Sequence, residues 1–199
     1  MTSTESSPRT VGILAFQSME VLDFAGPYEV FNVANEVSGR PTFDVAGIGA
    51  QPGPVRARGG FTVLPPTSIA AGVFPDILVV PGGPGTAAVA KDPDLSAWVR
   101  SASEEPELVV SVCTGAFVLA AAGLLDGRPA TTHHWAFDDL LTAAPSIDLV
   151  RDQRFVRSSD RIWTSGGISA GIDLSLHLIG LLAGAETHEK VVAMLEWGW

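Results

Sequence analysis

The segment LVVSVCTGAFVLAAA, residues 108–122, decides the fold. Residues 108–112 are apolar except for one serine, which is typical of a short strand buried on both faces. The residues after Gly115 are apolar and predict a helix, so only Cys113, Thr114 and Gly115 separate the strand from the helix. A connection this short is the pattern of a nucleophile elbow, a strained turn that places one side chain at the end of the strand. The segment therefore predicts an α/β sheet with Cys113 at the carboxyl end of one strand.

Apolar strands and helices alternate on both sides of this segment. The predicted strands cover residues 11–16, 43–48, 77–80, 108–112 and 130–132. The predicted helices cover residues 26–37, 94–103, 116–122, 135–141, 168–183 and 187–197. Two β-hairpins are expected, one joining 55–58 to 61–64 through a two-residue turn at Gly59-Gly60, and one joining 155–157 to 161–164. We predict one α/β domain over residues 10–199, with a mostly parallel sheet, helices on both faces, a β-hairpin insertion and a disordered tail at 1–9.

Length, composition and charge exclude several classes of protein. The chain has 199 residues, of which 46% are hydrophobic, and this is enough for one domain with a substantial core. Its formal net charge of −10 disfavours binding to nucleic acid or to anionic membranes. Residues 1–10 are polar and lack the apolar segment of a signal peptide, and no apolar run is long enough to cross a bilayer. We therefore expect a cytoplasmic protein whose partner is a small-molecule substrate.

Cys113 is the only cysteine of the chain, which excludes a disulfide framework. At an elbow, its thiol lies at the N-terminus of the following helix, whose dipole favours a thiolate. The absence of a side chain at Gly115 lets that helix begin close to the strand. A free cysteine is more often a small buried hydrophobic residue, but its position at an elbow favours a functional thiol. We predict that Cys113 is a nucleophile.

Two other predicted strands end in groups suited to the same crevice, because ligands of open α/β sheets bind at the carboxyl ends of the strands. The sequence PGGPG, residues 81–85, either presents backbone N–H groups to a developing anion or is simply a glycine-rich turn. Asp23 precedes the predicted helix 26–37. It either caps that helix or is a buried acid with a raised pKa that exchanges a proton with Cys113.

The chain has four histidines, and one adjacent pair follows a predicted strand. His133 and His134 come directly after Thr132 and are expected at the crevice. Because neighbouring side chains on a chain point apart, we expect that this pair does not chelate one metal, and we predict neither a metal nor another cofactor. His177 lies among leucines of a predicted helix and is expected to pack, whereas His188 is expected in solvent.

Four segments together resemble the PfpI/ThiJ superfamily, whose fold is that of the class I glutamine amidotransferases. They are LDFAGPYEVF (22–31), ILVVPGGPGT (77–86), SVCTGAFVLAAAGLLDGRPATTHHWAFDDL (111–140) and TSGGISAGIDLSLHLI (164–179). Within the superfamily, the isonitrile (isocyanide) hydratases are the most similar branch. Similar motifs occur in the N-terminal halves of AraC-type transcription regulators. The resemblance implies a homodimer with a flavodoxin-like three-layer sandwich.

The resemblance also implies roles for residues around the elbow. Cys113 is expected to be the nucleophile, Asp23 its acidic partner and Thr114 the residue that follows the elbow. The backbone at Gly82 and Gly83 is expected to line an anion pocket. Protease-like members of the superfamily carry histidine where Thr114 stands, so a dyad of adjacent cysteine and histidine is excluded here.

Two further residues are expected in the substrate-binding part of the same pocket. Gly115 lies within the elbow, and His133 follows the strand predicted at 130–132. Phe24, Phe117 and Trp135 are apolar residues expected near the crevice, and they suit an uncharged organic substrate.

The activity implied by the resemblance is hydration of an isonitrile, R–N≡C, to an N-substituted formamide. Cys113 attacks the terminal carbon, Asp23 delivers a proton, and water then releases the formamide from a thioimidate on the enzyme. No cofactor is required. The alternatives are a non-catalytic ligand-sensing domain, hydration of 2-oxoaldehydes, and redox sensing through oxidation of Cys113.

Overall fold

The apolar strands lie side by side in one sheet in the computed structural model, which describes residues 7–104 and 107–198. The strands are β1 (Arg9–Ala15), β2 (Phe43–Gly49), β3 (Val55–Arg56), β4 (Thr62–Val63), β5 (Thr67–Ser68), β6 (Ile77–Val80), β7 (Leu108–Val112), β8 (Pro129–Ala130), β9 (Asp148–Leu149), β10 (Phe155–Arg157) and β11 (Ile162–Ser165). Seven of them pair in the order β10-β11-β7-β6-β1-β2-β5. All neighbours in this sheet are parallel except β10 and β11. Every residue of β6 and β7 is buried, as expected for strands covered on both faces.

Two groups of helices enclose this sheet. The helices are α1 (Val21–Ser38), α2 (Thr86–Val89), α3 (Pro93–Ser101), α4 (Ala116–Ala121), α5 (Phe137–Ala143), α6 (Ala170–Ala183) and α7 (Ala185–Met194). Helices α1, α6 and α7 pack on one another, and α2, α3 and α5 pack on α4. The result is the α/β sandwich predicted from the sequence, with a mostly parallel sheet in its middle layer. Within the described residues, no helix has both the length and the apolar character needed to cross a membrane.

The order β7-β6-β1 explains why three chain segments meet at one place. These three strands are neighbours, and each is followed by one of the segments singled out in the sequence. The elbow at Cys113 follows β7, the PGGPG turn follows β6, and α1 with Asp23 follows β1. Since parallel strands end at the same edge of a sheet, the predicted convergence at one crevice is confirmed.

Both predicted hairpins form, although the first has a different turn. Strands β3 and β4 pair antiparallel, and a helical turn at Arg58–Gly60 replaces the predicted two-residue turn. Gly59 and Gly60 have φ angles of 75° and 89°, so two adjacent positions adopt a conformation that glycine tolerates best. Strands β10 and β11 form the second hairpin at one edge of the main sheet.

Helix α1 begins at Val21, five residues before its predicted start at residue 26. Gly26 and Pro27 therefore lie inside the helix, although this pair resembles a helix start. The reason is packing: a Cβ at Gly26 would lie 2.8 Å from Cγ1 of Ile172 on α6, so the glycine allows two helices to approach closely. Asp23 consequently lies in the first helical turn and is not the residue that caps the helix.

Other boundaries differ from the predictions by a few residues. The strand predicted at 130–132 is Pro129–Ala130, and the two-residue strands β5 and β9 were not predicted. Strand β1 begins at Arg9, the last residue of the predicted tail, and residues 1–6 of that tail lie outside the described residues. Such short strands carry too few residues for a periodic pattern.

Gly115 allows the chain after the elbow to pass close to β6. A Cβ at this position would lie 2.1 Å from the carbonyl oxygen of Val80 and 2.9 Å from that of Pro81. Both distances are far shorter than a van der Waals contact, and backbone atoms cannot move aside cheaply. Gly115 therefore permits a close approach to the neighbouring strand β6, whereas the sequence predicted an approach to the strand that precedes the elbow.

We predict that Gly115→Ala lowers the free energy of unfolding by roughly 1–3 kcal/mol, because the added methyl group overpacks the core. Urea denaturation measures the change. Gly166→Ala is the matched control, because its Cβ would lie no closer than 3.5 Å to its nearest neighbour, the Arg154 carbonyl oxygen. Equal midpoints for the wild type and Gly115→Ala would contradict the steric argument.

Candidate active site

The elbow after β7 holds Cys113 in a strained backbone conformation. Its φ angle is 57°, in the left-handed region that residues with a side chain rarely adopt. Two hydrogen bonds fix the strained residue: the Cys113 N–H donates to the Gly166 carbonyl at 3.1 Å, and the Thr132 hydroxyl donates to the Cys113 carbonyl at 2.8 Å. The cysteine residue is only 6% exposed. The sharp turn predicted from the sequence is therefore present, and its cysteine is buried.

Asp23 is a buried acid. Its residue has no exposed surface, and its Oδ2 atom accepts a hydrogen bond of 2.9 Å from the Gly82 N–H. Its Oδ1 atom has no hydrogen-bond partner among the described residues. Burial raises the pKa of Asp23 to about 7, and the charge of Glu20 adds to the rise. The Gly82 hydrogen bond and weaker interactions with Cys113 and the Ile168 amide oppose it. Of the two interpretations of Asp23, the structure supports the buried acid.

The Cys113 thiol is neutral near pH 7. Burial raises the pKa of this thiol to about 12, and the negative charge of Asp23 contributes to the rise. The Thr114 amide and hydroxyl lower it by a smaller amount. Burial of the elbow therefore opposes ionisation of the thiol, whereas the helix dipole favours it. A neutral thiol thus lies beside a carboxyl group that both accepts and releases protons near neutral pH.

The PGGPG turn, residues 81–85, positions the side chains of Asp23 and Thr114, which lie next to the thiol. The Gly82 N–H bonds to Asp23, and the Gly83 N–H donates to Oγ1 of Thr114 at 2.9 Å. Thr86 lies on the other side of Thr114, with 3.0 Å between the two hydroxyl oxygens. Gly82 and Gly83 were expected to line an anion pocket with their N–H groups. In the structure both N–H groups are occupied by these protein oxygens, so their role is to orient Asp23 and Thr114.

His133 lies next to the loop that follows β11. A Cβ at Gly167 would lie 1.9 Å from Cδ2 of His133, so this imidazole fills the space that the glycine leaves open. Its Nδ1 atom accepts the Trp135 N–H at 3.2 Å, and burial lowers the pKa of His133. The rings of His133 and His134 are stacked, with centroids 4.4 Å apart, so the expectation that they point apart is wrong.

No group of three or more histidine, cysteine or acidic residues within residues 7–104 and 107–198 has a geometry that suits a metal ion. The other histidines lie away from the elbow. His177 contacts the rings of Phe155 and Trp163, as predicted for a packed residue. His188 is half-buried rather than fully solvated.

An ion pair near Cys113 has no counterpart in the sequence predictions. Arg58, in the turn of the β3–β4 hairpin, donates to Oε2 of Glu20 at 2.7 Å. The backbone N–H of Arg58 also bonds to the carbonyl of Met19 at 2.9 Å. The hairpin insertion is thereby tied to the segment that precedes α1. No local signal reveals this pair, because its members are 38 residues apart in the chain.

A cleft begins beside the elbow and runs between α2, α4 and α5. Its volume is about 470 Å³. Thr114 and Gly83 lie at one end, Phe117 forms part of a wall, and Lys91 and Asp139 also line it. We call it the α2–α4–α5 cleft. Of the aromatic residues expected at the crevice, Phe117 alone lines this cleft.

The other two aromatic residues lie elsewhere. Phe24 lines a separate cavity together with Tyr28 and Phe61, and Trp135 is 82% exposed. The expected aromatic crevice therefore consists of one phenylalanine, and the remaining walls are built from smaller side chains.

The raised pKa of Asp23 makes stability depend on pH. In the unfolded chain this carboxyl ionises near its ordinary pKa of 3.8, and in the folded protein it ionises near 7. Between these values folding takes up a proton, so the free energy of unfolding falls as pH rises from 3.8 to 7. Above 7 the cost of a buried charge is fully present, on the order of 4 kcal/mol.

We predict that Asp23→Asn stabilises the protein relative to the wild type above pH 7 and that this gain disappears near pH 4. Urea denaturation at the two pH values measures the difference, with the exposed Asp44→Asn as a control. A gain that is the same at both pH values would show that the Asp23 carboxyl is not the group responsible.

Comparisons with known proteins agree with this fold. The family model described as DJ-1/PfpI family matches residues 9–181. Isonitrile hydratase of Pseudomonas putida is 37% identical over 94% of this chain and 78% of the hydratase. The regulator GbdR of Pseudomonas aeruginosa is 26% identical over 94% of this chain, which spans half of that regulator. The crystal structure of a ThiJ/PfpI family protein from Pseudomonas syringae superposes on this chain with a TM-score of 0.86 and 26% sequence identity. The match covers 97% of this chain and 76% of the chain from Pseudomonas syringae. The chain therefore belongs to the DJ-1/PfpI family.

Proposed function

We propose that the protein hydrates isonitriles, converting R–N≡C and water into an N-substituted formamide. The observation that carries this proposal is the pairing of a buried carboxyl of pKa about 7 with a neutral thiol at a strained elbow. Addition of a thiol to an isonitrile carbon needs one group that takes the thiol proton and returns it to that carbon. The identity to the hydratase of Pseudomonas putida supports the same assignment.

In the first half of the reaction, the Cys113 S–H adds to the terminal carbon of the isonitrile. The Asp23 carboxylate takes the thiol proton while the S–C bond forms, and Asp23 then gives this proton to the same carbon. The product is a thioimidate, R–N=CH–S–Cys113, and Asp23 is again ionised. A carboxyl of pKa about 7 suits both transfers, because proton exchange is most efficient when the pKa of the catalyst lies near the working pH.

In the second half, water adds to the thioimidate carbon. Asp23 takes a proton from the water and delivers it to the substrate nitrogen, which gives R–NH–CH(OH)–S–Cys113. The C–S bond then breaks, the hydroxyl becomes the formamide carbonyl, and its proton passes through Asp23 to the sulfur. Cys113 and Asp23 return to their starting states, and the reaction balances without a cofactor.

Thr114 assists the thiol in this scheme. Its hydroxyl oxygen accepts the Gly83 N–H, which leaves the hydroxyl proton available for Thr86 or for sulfur. The Thr114 amide and hydroxyl both lower the pKa of Cys113, so they stabilise negative charge that develops on the sulfur.

We predict that the wild type converts an aryl isonitrile to its formamide and that Cys113→Ala abolishes this turnover. Asp23→Asn should lower kcat by about 100-fold or more, because it removes the proton-transfer group.

The wild-type kcat/KM should rise as pH passes through about 7, since Asp23 must be ionised to accept the thiol proton. Absorbance of the formamide measures turnover. A Cys113→Ala protein as active as the wild type would refute the scheme.

A ligand-sensing role is the second candidate, and the similarity to one half of GbdR supports it. If the folded wild type has an alkylatable thiol but forms no formamide, the hydratase proposal fails. Tight binding of a small amide that is recovered unchanged would then support the sensor. Cysteine-dependent loss of a 2-oxoaldehyde would instead support 2-oxoaldehyde hydration, and a peroxide-dependent mass increase at Cys113 would support redox sensing.

We also propose that the protein is a homodimer that binds no nucleic acid. Exposed large apolar side chains from α1 and the β3–β4 hairpin region lie around one cavity, namely Tyr28, Phe61 and Leu64. Exposed apolar patches of this kind typically mark protein interfaces. The net charge of −10 supports the absence of a nucleic-acid partner.

We predict sedimentation at twice the monomer mass of 20.8 kDa for the wild type, and a shift toward monomer for the double substitution Phe61→Glu, Leu64→Glu. Leu181→Glu, at an exposed position on α6, is the control and should remain dimeric. A monomeric wild type, or a double variant that stays dimeric, would contradict this interface.

A further inference from the structure

The side chain of Glu20 lies where a helix cap is expected but binds elsewhere. Glu20 directly precedes α1, yet its side chain makes no capping hydrogen bond. Its carboxylate instead accepts a hydrogen bond of 2.7 Å from the Arg58 guanidinium of the β3–β4 hairpin. The Glu20 side chain is 16% exposed, whereas that of Arg58 is 62% exposed. The negative member of this ion pair is therefore mostly buried, and the positive member is mostly in solvent.

Backbone hydrogen bonds fix both members of the ion pair. The Glu20 N–H donates to the Gly82 carbonyl at 2.8 Å, and the Arg58 N–H donates to the Met19 carbonyl at 2.9 Å. The N–H of the same Gly82 binds the Asp23 carboxyl. The ion pair is therefore held against the turn that orients the acid of the candidate active site.

The charge of Glu20 acts on Asp23. The two residues are three positions apart at the start of α1, a spacing that places side chains on one face of a helix. Burial is the main cause of the raised pKa of Asp23, and the Glu20 charge adds to it. The amides of Gly82 and Ile168 and the Cys113 thiol also act on Asp23. These groups are dipoles or neutral near pH 7, so within the described residues the charge acting on Asp23 comes from Glu20.

The charge of Arg58 acts on Cys113. The hydrogen bond to Glu20 is the main cause of the raised pKa of Arg58, and the interaction with Cys113 adds to it. Because an electrostatic interaction acts on both partners, the guanidinium favours negative charge on the sulfur. Glu20 also acts on His133, where its charge opposes the lowering of the imidazole pKa by burial. The ion pair therefore acts on both groups that exchange the proton.

We propose that Glu20 and Arg58 are positioning residues that promote transfer of the thiol proton from Cys113 to Asp23. The negative charge of Glu20 makes the Asp23 carboxylate a stronger base, and the positive charge of Arg58 stabilises the negative charge that develops on sulfur. Both effects lower the free-energy cost of the same proton transfer. This inference rests on the proposed hydratase mechanism, in which that transfer accompanies formation of the S–C bond.

Glu20→Gln tests the effect on Asp23, because glutamine keeps an acceptor oxygen for Arg58 and removes the charge. We expect the infrared C=O band of the Asp23 carboxylic acid to be lost at a pH at least about 0.5 unit lower than in the wild type. Glu36→Gln is the control, since it removes the same charge from an exposed position about 20 Å further along α1. A midpoint that is unchanged or higher in Glu20→Gln would overturn the inference.

Arg58→Gln tests the effect on the thiol. The rate at which iodoacetamide alkylates Cys113 at mildly alkaline pH reports the thiolate fraction, and this reagent is uncharged, so Arg58 does not attract it. We expect Arg58→Gln to slow alkylation by at least about threefold and to lower kcat for an aryl isonitrile by a similar factor, with KM unchanged. Arg58→Lys, which keeps the charge, should restore both rates to within about twofold of the wild type.

Arg56→Gln is the matched control for Arg58→Gln. It removes the same charge from the same hairpin, at a side chain that lies over Gly60, where a Cβ would be 3.4 Å from Nη2 of Arg56. It should leave the alkylation rate unchanged. A hairpin that is only loosened exposes the thiol and speeds alkylation, so an unchanged or faster rate in Arg58→Gln would contradict the proposed role.

The infrared and alkylation measurements need no turnover, so failure of this inference is distinguishable from failure of the hydratase proposal. If the wild type forms no formamide but both expected shifts occur, the hydratase proposal falls and the electrostatic effect of the ion pair stands. If the wild type forms the formamide and neither shift occurs, the hydratase stands and the ion pair has no part in the proton transfer.

Discussion

The chemistry that we propose for this protein depends on the burial of one carboxyl group beside one thiol. Asp23 has lost all contact with solvent and retains one strong hydrogen bond, from the Gly82 amide. Burial makes this charge costly and moves the pKa of Asp23 to about 7. Burial of Cys113, with the negative charge of Asp23 as a smaller cause, raises the pKa of the thiol to about 12. In many thiol sites an imidazole or a helix dipole generates a thiolate before the substrate arrives. In the mechanism we propose, the proton stays on sulfur until the reaction, and the Asp23 carboxylate accepts that proton during the attack.

The parallel sheet makes this arrangement possible. Strands β1, β6 and β7 are adjacent, so the chain segments that leave their carboxyl ends are brought together without any long connection. Each segment supplies one part of the site: α1 supplies the acid, the turn after β6 supplies two amides, and the elbow after β7 supplies the thiol. The glycines of these turns have a common function, because a side chain at Gly82 or Gly115 would collide with the neighbouring segment. Gly82 lies against the elbow, since a Cβ there would be 2.9 Å from Cβ of Cys113, and its N–H binds Asp23.

The sequence predicts those features that depend on local pattern. Buried strands are recognised from short apolar runs, and the elbow is recognised because Cys113, Thr114 and Gly115 alone separate a strand from a helix. Features that depend on distant contacts are missed. The early start of α1 reflects packing of Gly26 against Ile172, and the thiol is neutral because other segments cover Cys113. The occupied amides at Gly82 and Gly83 are missed for the same reason, since Asp23 and Thr114 are far away in the chain.

Infrared titration of Asp23 tests most directly whether a protonatable carboxyl lies beside the thiol. Difference spectra of the wild type and Asp23→Asn, recorded from acidic to alkaline pH, isolate the C=O stretch of this one carboxylic acid. We expect a band that is present in the wild type at mildly acidic pH, is lost with a midpoint of about 7, and is absent from the variant at every pH. Loss of the band near the ordinary value of 3.8 would show that Asp23 is an ionised carboxylate at neutral pH, and the proton-transfer role derived from its burial would be wrong.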